Sequence, residues 1–173
     1  MKQQIIVSGM GGQGVLFVTK IIAGASVAMG LETFTSETHG MAQRGGSVIS
    51  FVKVGDFKSP LIRRGQGDLG LFLHSQNLEV HGNLLQKEAD FFVNSPEPLA
   101  GEGVPANIST IGAASIAREL GSPVYTNLVI LGLAAASGKL FCSVEELERS
   151  IKKLSGERFS EANLAAFHKG LGK

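Results

Sequence analysis

Residues 3–15 read QQIIVSGMGGQGV, so that an apolar run passes directly into a loop of glycines. The β-branched run from Ile5 to Val7 is typical of a central parallel strand that is buried on both faces. An apolar helix is predicted to follow from Val15 to Met29, and Gly30 stands where glycine commonly ends a helix. The order of strand, glycine loop and helix predicts an α/β fold.

The glycine loop has the spacing Gly-x-Gly-x-x-Gly, formed by Gly9, Gly11 and Gly14. Glycines at this spacing let the backbone approach an anion at a helix N-terminus, so the loop is a candidate site for a dinucleotide or for another anion. A purely structural tight turn is the third interpretation. Gln13 stands beside the helix start, where its amide can bind a ligand or brace a neighbouring loop. Glu32 and Glu37 both lie about 20 residues beyond the loop, where the acidic partner of a ribose is usual. Glu32 begins the next predicted strand, whereas the usual ribose acid ends it, so the sequence leaves this partner open.

A second glycine segment, residues 36–47, reads SETHGMAQRGGS. Arg44 offers a planar fork that suits a carboxylate or a phosphate. His39 titrates near neutral pH, and Glu37 can orient it. These features indicate a functional or interface loop; the alternative is a surface loop in which Glu37 and Arg44 simply pair.

Short apolar strands alternate with helical segments along the rest of the chain. The further predicted strands are Thr33–Thr35, Ser47–Val54, Leu69–Leu73 and Phe91–Val93. The further predicted helices are Gln76–Glu88, Ile111–Leu120, Tyr125–Ala136, one after a capping box of Ser143 and Glu146, and one capped by Ser160. This order predicts a single three-layer, Rossmann-like α/β domain over residues 1–173, with a mostly parallel sheet.

The segment Ser47–Val54 follows its neighbouring strand without a helix between them, so it can pair antiparallel. In open α/β sheets ligands bind outside the carboxyl ends of the strands, and both glycine segments are expected at that edge. Asn127 begins an apolar helix after Tyr125 and Thr126. Its side chain is expected either to project into the same edge or to cap its own helix.

Composition excludes several classes of site. The 16 basic and 15 acidic side chains leave a formal charge of +1, so no long-range field is expected to attract nucleic acid or an anionic membrane. Cys142 is the only cysteine, which excludes an internal disulfide and a cysteine-ligated iron–sulfur cluster held by this chain alone. It is expected to be a packed core thiol rather than a reactive one. The four histidines show no metal-ligand spacing, so a bound metal is not expected.

The apolar runs are far shorter than the roughly 20 residues that a membrane helix needs. The first residues lead into glycines instead of the apolar stretch of a signal peptide, so a cytoplasmic location is expected.

The two glycine segments together carry a family resemblance. Residues 9–15, the stretch 36–48, the later Ser59–Ile62 and Asn127 with Leu131-Gly132 resemble the small, gamma-type subunit of the 2-oxoacid:ferredoxin oxidoreductases. The wording of the second segment is most similar to the small subunit of the indolepyruvate enzyme. Related subunits serve pyruvate, 2-oxoglutarate and branched-chain 2-oxoacids.

The resemblance implies a complex that oxidatively decarboxylates a 2-oxoacid with coenzyme A, forms an acyl-CoA and reduces ferredoxin. Thiamine diphosphate, magnesium and the iron–sulfur clusters are then expected in partner alpha and beta subunits, and this chain is expected to bind no cofactor alone and to be inactive in isolation. No catalytic residue is assigned to it. The residues expected to face a ligand or a partner are Gly9, Gly11, Gly12, Gln13, Gly14, Glu37, His39, Gly40, Gln43, Arg44, Gly45, Gly46 and Asn127.

Two other function classes stay open on the residues alone. A free nicotinamide- or flavin-dependent Rossmann-like oxidoreductase accounts for the first glycine loop only. A non-catalytic assembly or regulatory module is the other. The identity of the 2-oxoacid is not set by the sequence.

Overall fold

Strand β1 (Gln3–Met10) lies in the middle of a six-stranded sheet in the computed structural model, which describes residues 1–38 and 46–172. The other strands are β2 (Thr33–Thr38), β3 (Ser47–Val54), β4 (Gly67–Phe72), β5 (Leu85–Asn94) and β6 (Ile108–Ile111). The helices are α1 (Val15–Ala28), α2 (Gln76–His81), α3 (Ala113–Glu119), α4 (Thr126–Ala136) and α5 (Val144–Gly170), with short 3-10 turns at Gly82–Leu84 and Pro123–Tyr125.

The sheet is mostly parallel, as predicted. Its strand order is β2-β3-β1-β4-β5-β6, and the pairs β1–β4, β4–β5 and β5–β6 are parallel. Strand β3 runs antiparallel to both of its neighbours, β1 and β2. The predicted α/β fold class and the antiparallel placement of β3 are therefore confirmed.

The direction of the chain across the sheet changes at β1. Helix α1 carries the chain from β1 toward β2 on one side, whereas β4, β5 and β6 extend the sheet on the other side. The carboxyl ends of β1 and β4 lie side by side, since the Leu73 amide donates to the Ser8 carbonyl at 2.8 Å. Such a switch point is where open α/β sheets leave a crevice for a ligand. The glycine loop leaves the sheet at this point.

The two faces of the sheet are covered unequally. Helices α1, α4 and α5 cover the face that contains Ile5 and Val7, and α4 is buried on nearly every side. The opposite face contains Ile6 and the stacked pair Phe72 and Phe91, whose ring centroids are 6.1 Å apart. The short helix α2 and irregular segments cover this second core. The carboxyl edge of the sheet therefore has a thick helical layer on one side and a thin layer on the other.

Strand β5 corrects the predicted helix Gln76–Glu88. Helix α2 ends at His81, and the chain is extended from Leu85 onward. The Leu85 side chain packs on Gly67 and Gly70 of β4, where an added Cβ would lie 2.6 and 2.5 Å from Leu85 methyl carbons. The tertiary contact with these glycines selects the strand. The edge strand β6 was also not predicted.

The two separate helices that the sequence predicts are present as the two halves of α5. Gly156 is non-helical inside it, with φ 65° and ψ 167°, and marks a kink. His168 Nε2 lies 2.6 Å from Glu148 Oε1, which shows that the two halves fold back against each other. The predicted cap at Ser160 is wrong, because Ser160 lies inside the second half.

The capping box at the start of α5 is confirmed. The Glu146 amide donates to the Ser143 hydroxyl at 3.3 Å, and the Ser143 amide donates to the Glu146 carboxylate at 2.7 Å. We expect Ser143→Ala to lower the free energy of unfolding by about 1 kcal/mol, measured by urea denaturation of the full chain. Ser115→Ala, on an exposed face of α3, is the control. Equal losses in the two variants would contradict the assignment.

Candidate functional site at the glycine loop

The glycine loop depends on two left-handed residues. Gly12 has φ 92° and Gly14 has φ 78°. Residues other than glycine rarely adopt this left-handed backbone conformation. Gly14 is the N-cap of α1, no side chain caps this helix, and its first turn contains no acidic residue. A helix N-terminus without a side-chain cap or a nearby acidic residue favours an approaching negative charge.

Gln13 braces the loop, which is the second of its two predicted roles. Its Oε1 accepts the Met10 amide at 2.7 Å, and its Nε2 donates to the Leu73 carbonyl at 3.3 Å. The Asn94 amide donates to the same carbonyl at 3.0 Å, and Asn94 Oδ1 accepts the Ala114 amide at 3.1 Å. The ends of β1, β4 and β5 and the start of α3 are thereby joined at one edge.

Asn127 lies against the loop and does not cap α4. Its Nδ2 is 3.4 Å from the Gly14 carbonyl, and an added Cβ on Gly14 would collide with that amide. The residue is 1% exposed, and its Oδ1 is buried without a partner among the described residues. Gly14 is therefore required both by its φ angle and by the close approach of Asn127.

The backbone joins the two glycine segments. The Gly11 amide donates to the Gly46 carbonyl at 2.9 Å, directly beyond the antiparallel pairing of Met10 with Ser47. Glu37 lies elsewhere: it pairs with Ser50 in β3, on the edge strand β2. There it lines a cleft of about 550 Å³ between α1 and α5.

The structure brings seven of the predicted site residues to one edge: Gly9, Gly11, Gly12, Gln13, Gly14, Gly46 and Asn127. Of the others, His39, Gly40, Gln43, Arg44 and Gly45 lie outside the described residues. Their predicted roles stay predictions.

A buried polar cluster on the α2 side of the loop was missed by the sequence interpretation. Asn77, 1% exposed, places its Nδ2 3.1 Å from Ser8 Oγ, 3.1 Å from the Gly9 carbonyl and 2.7 Å from Ser47 Oγ. The only signal in the sequence is Ser8, a polar residue at the end of an apolar strand.

His81 completes this cluster. Its Nδ1 lies 2.7 Å from Ser8 Oγ, and burial lowers the pKa of the imidazole below its ordinary value. A neutral ring can accept the Ser8 hydroxyl hydrogen. Because Ser8 is completely buried, no substrate reaches this hydroxyl, and the pair is not a nucleophile with its base.

Neither a metal site nor a reactive thiol is found among the described residues. Within residues 1–38 and 46–172, no group of three His, Cys, Asp or Glu side chains is placed to hold a metal ion. Burial, and secondarily the charge of Glu146, raises the pKa of the Cys142 thiol to about 12, so the thiolate is not formed near neutral pH. The helices in the described part of the chain include none long and apolar enough to span a bilayer.

Comparison with known proteins identifies the family. A model described as pyruvate ferredoxin/flavodoxin oxidoreductase matches residues 4–172. The chain belongs to this family. Its relatives include the indolepyruvate oxidoreductase subunit IorB of Archaeoglobus fulgidus, which is 32% identical over 98% of this chain and 94% of the relative.

Two solved structures share the fold of this pyruvate ferredoxin/flavodoxin oxidoreductase family member. A keto/oxoacid ferredoxin oxidoreductase gamma subunit from Geobacter sulfurreducens is 26% identical, with a TM-score of 0.79 over 98% of this chain and 96% of that subunit. The 2-oxoglutarate:ferredoxin oxidoreductase of Magnetococcus marinus, solved with 2-oxoglutarate, coenzyme A and succinyl-CoA, is 25% identical with a TM-score of 0.79. The match covers 99% of this chain but only 30% of that longer one.

These findings confirm the resemblance stated from the two glycine segments. The relatives are subunits of oxidoreductases named for 2-oxoacids, and the structural neighbours include gamma subunits. The predicted family and the predicted assignment as a 2-oxoacid:ferredoxin oxidoreductase subunit are therefore confirmed.

Proposed function

We propose that this chain is a gamma-type subunit that completes an active site built mainly by alpha and beta partner subunits. The complex oxidatively decarboxylates a 2-oxoacid with coenzyme A and passes the electrons to ferredoxin, in the cytoplasm. The observation that carries the proposal is the junction of the two glycine segments at the switch point of the sheet, where the Gly11 amide meets the Gly46 carbonyl at 2.9 Å. This edge is a shaped rim lined by backbone groups.

The donor set of the chain does not fit the cofactors that this reaction needs. A cluster held by thiolates requires several cysteines, and this chain has one, whose thiol is not ionised near neutral pH. The described residues also offer no set of carboxylates for a magnesium-bound diphosphate. Thiamine diphosphate, magnesium and the clusters are accordingly assigned to the partner subunits.

The contribution of this chain is binding and exclusion of water at the rim. The open N-terminus of α1 favours an anionic group, and the positive φ angles of Gly12 and Gly14 let such a group approach the backbone. We assign His39, Gln43 and Arg44 to the wall that faces a partner chain or a substrate anion. The substrate that we propose is an indolepyruvate-type 2-oxoacid, because the second glycine segment and the Archaeoglobus relative both favour it.

Isolation from the native cell tests the assembly. The chain is expected to co-purify with subunits that contain thiamine diphosphate and iron–sulfur clusters, and the complex is expected to reduce ferredoxin with indolepyruvate faster than with pyruvate or 2-oxoglutarate. The isolated chain is expected to show no turnover. A purified chain that binds a nicotinamide or flavin dinucleotide tightly by calorimetry, and oxidises substrate unaided, would overturn the proposal.

Arg44 is the side chain that most directly tests the rim. We expect Arg44→Ala to raise KM for the 2-oxoacid or for coenzyme A about 10- to 100-fold, because charge-assisted hydrogen bonds are worth roughly 1.5–3 kcal/mol. Arg44→Lys keeps the charge but loses the planar fork, so an intermediate KM is expected. Steady-state kinetics of the assembled complex measure both. Unchanged assembly together with unchanged KM for both substrates would remove Arg44 from the site.

A further inference from the structure

Asn77 connects three parts of the chain that meet beneath the rim. Its Nδ2 lies within hydrogen-bond distance of Ser8 Oγ, of the Gly9 carbonyl and of Ser47 Oγ, at 3.1, 3.1 and 2.7 Å. Gly9 opens the first glycine loop, and Ser47 is the residue with which β3 begins after the second glycine segment. One buried amide therefore holds the anchor points of both segments from the α2 side.

One of the two polar atoms of the Asn77 side chain carries an energetic cost. Asn77 is 1% exposed, and its Oδ1 is buried with no partner in the described parts of the chain. A buried acceptor without a donor is destabilising, which offsets part of what the three Nδ2 contacts contribute to stability. The residue is therefore not simply a source of stability. Buried polar groups of this kind are retained in some proteins because they specify one arrangement of the chain.

We infer that Asn77 is a positioning residue for the reaction: it fixes the glycine loop and the start of β3 relative to each other, and so sets the geometry of the rim. This inference rests on the proposed function. Asn77 touches no substrate, and it acts through Gly9 and Ser47. The antiparallel pairs of Gly9 with Val48 and of Met10 with Ser47 set the register, whereas Asn77 holds the end of this ladder from below.

The test compares Asn77→Leu with a matched buried asparagine. Asn163, 9% exposed, donates to Ser155 Oγ at 2.8 Å inside the α5 hairpin, away from the rim. In the assembled complex Asn77→Leu is expected to lower kcat/KM for the 2-oxoacid or for coenzyme A about tenfold, as displacements of binding groups by less than 1 Å do. Both variants are expected to lower the melting temperature, because each leaves buried acceptors without a donor. Asn163→Leu is expected to leave kcat/KM unchanged.

Two results would overturn the inference. One is an unchanged kcat/KM in the Asn77→Leu complex; the other is a loss of activity that merely follows a loss of folded or assembled protein in both variants. Failure of the proposed function is distinct, because it is seen in the wild-type chain, which then does not co-purify with cofactor-bearing subunits. A complex in which Arg44→Ala raises KM and Asn77→Leu does not would overturn the positioning role alone.

Discussion

Gly14→Ala is expected to lower kcat/KM of the assembled complex about 100-fold, the loss that a displacement of about 1 Å in a binding element can cause. The added methyl group faces two obstacles. The φ angle of 78° is unfavourable for any residue with a Cβ by about 1–2 kcal/mol. The Cβ also collides with the Asn127 amide, and overpacking of this kind costs about 1–3 kcal/mol. Urea denaturation of the full chain is expected to show a combined loss of about 2–5 kcal/mol.

Gly138→Ala is the matched control for this substitution. Gly138 has φ 68°, close to that of Gly14, but no heavy atom lies within 4 Å of its added Cβ. Gly138→Ala is expected to lower the free energy of unfolding by about 1–2 kcal/mol, the cost of the backbone conformation alone, and to leave the activity of the complex unchanged. In the double variant Gly14→Ala/Asn127→Ala the collision is absent, so part of the stability is expected to return. Equal effects of Gly14→Ala and Gly138→Ala would show that the contact with Asn127 is unimportant.

The sequence predicts the centre of the fold well because the local and tertiary preferences agree there. Strand β1, the loop and helix α1 follow from a β-branched run, three glycines and an apolar helix, and α1 ends one residue before the predicted end. The antiparallel strand β3 also matches its predicted bounds, since its apolar pattern and the absence of a crossover helix point to the same pairing.

The periphery could not be predicted in the same way. Leu84 and Leu85 follow Leu78 at helix-like spacing, yet Leu85 packs on the glycines of β4 and starts a strand. Strand β6 has four residues, none of them buried, and so short a stretch does not show a period that marks a strand. In both cases the partner strand decides the structure, and that partner is distant in sequence.

In the candidate site, too, the features set by local sequence could be predicted and those set by distant contacts could not. The glycines of the first loop are visible in the sequence because their spacing is specific and local. Asn77, by contrast, approaches Gly9 and Ser47 from positions 68 and 30 residues away. No periodicity links these residues, and only the crossing of α2 under the end of β1 brings them together. Glu37 is the opposite case. Its place in the second glycine segment predicted a position at the rim, but its strand, β2, lies at the edge of the sheet.

Gly132→Ala is the second substitution for which we expect a large effect, here on stability. Gly132 is in the middle of α4, and its added Cβ would collide with the Phe167 carbonyl oxygen and lie 2.8 Å from Gly170 Cα. Both contacts are with the backbone of α5, so no side-chain rotation relieves them. The second half of α5 must move away from α4, where Phe167 is completely buried. We expect a loss of about 3 kcal/mol and a fall in melting temperature of about 6–12 °C.

Gly24→Ala separates this backbone collision from the general effect of alanine in a helix. Both glycines lie within helices, and each replacement gains about 1 kcal/mol of helix propensity. At Gly24 the added Cβ lies 2.7 Å from the Ser150 hydroxyl, which can rotate at the cost of its 2.8 Å hydrogen bond to the Ile21 carbonyl, about 1 kcal/mol. Gly24→Ala is therefore expected to be nearly neutral, whereas Gly132→Ala is not. If thermal unfolding gave similar shifts for the two variants, the close approach of α4 and α5 would not be what requires glycine at position 132.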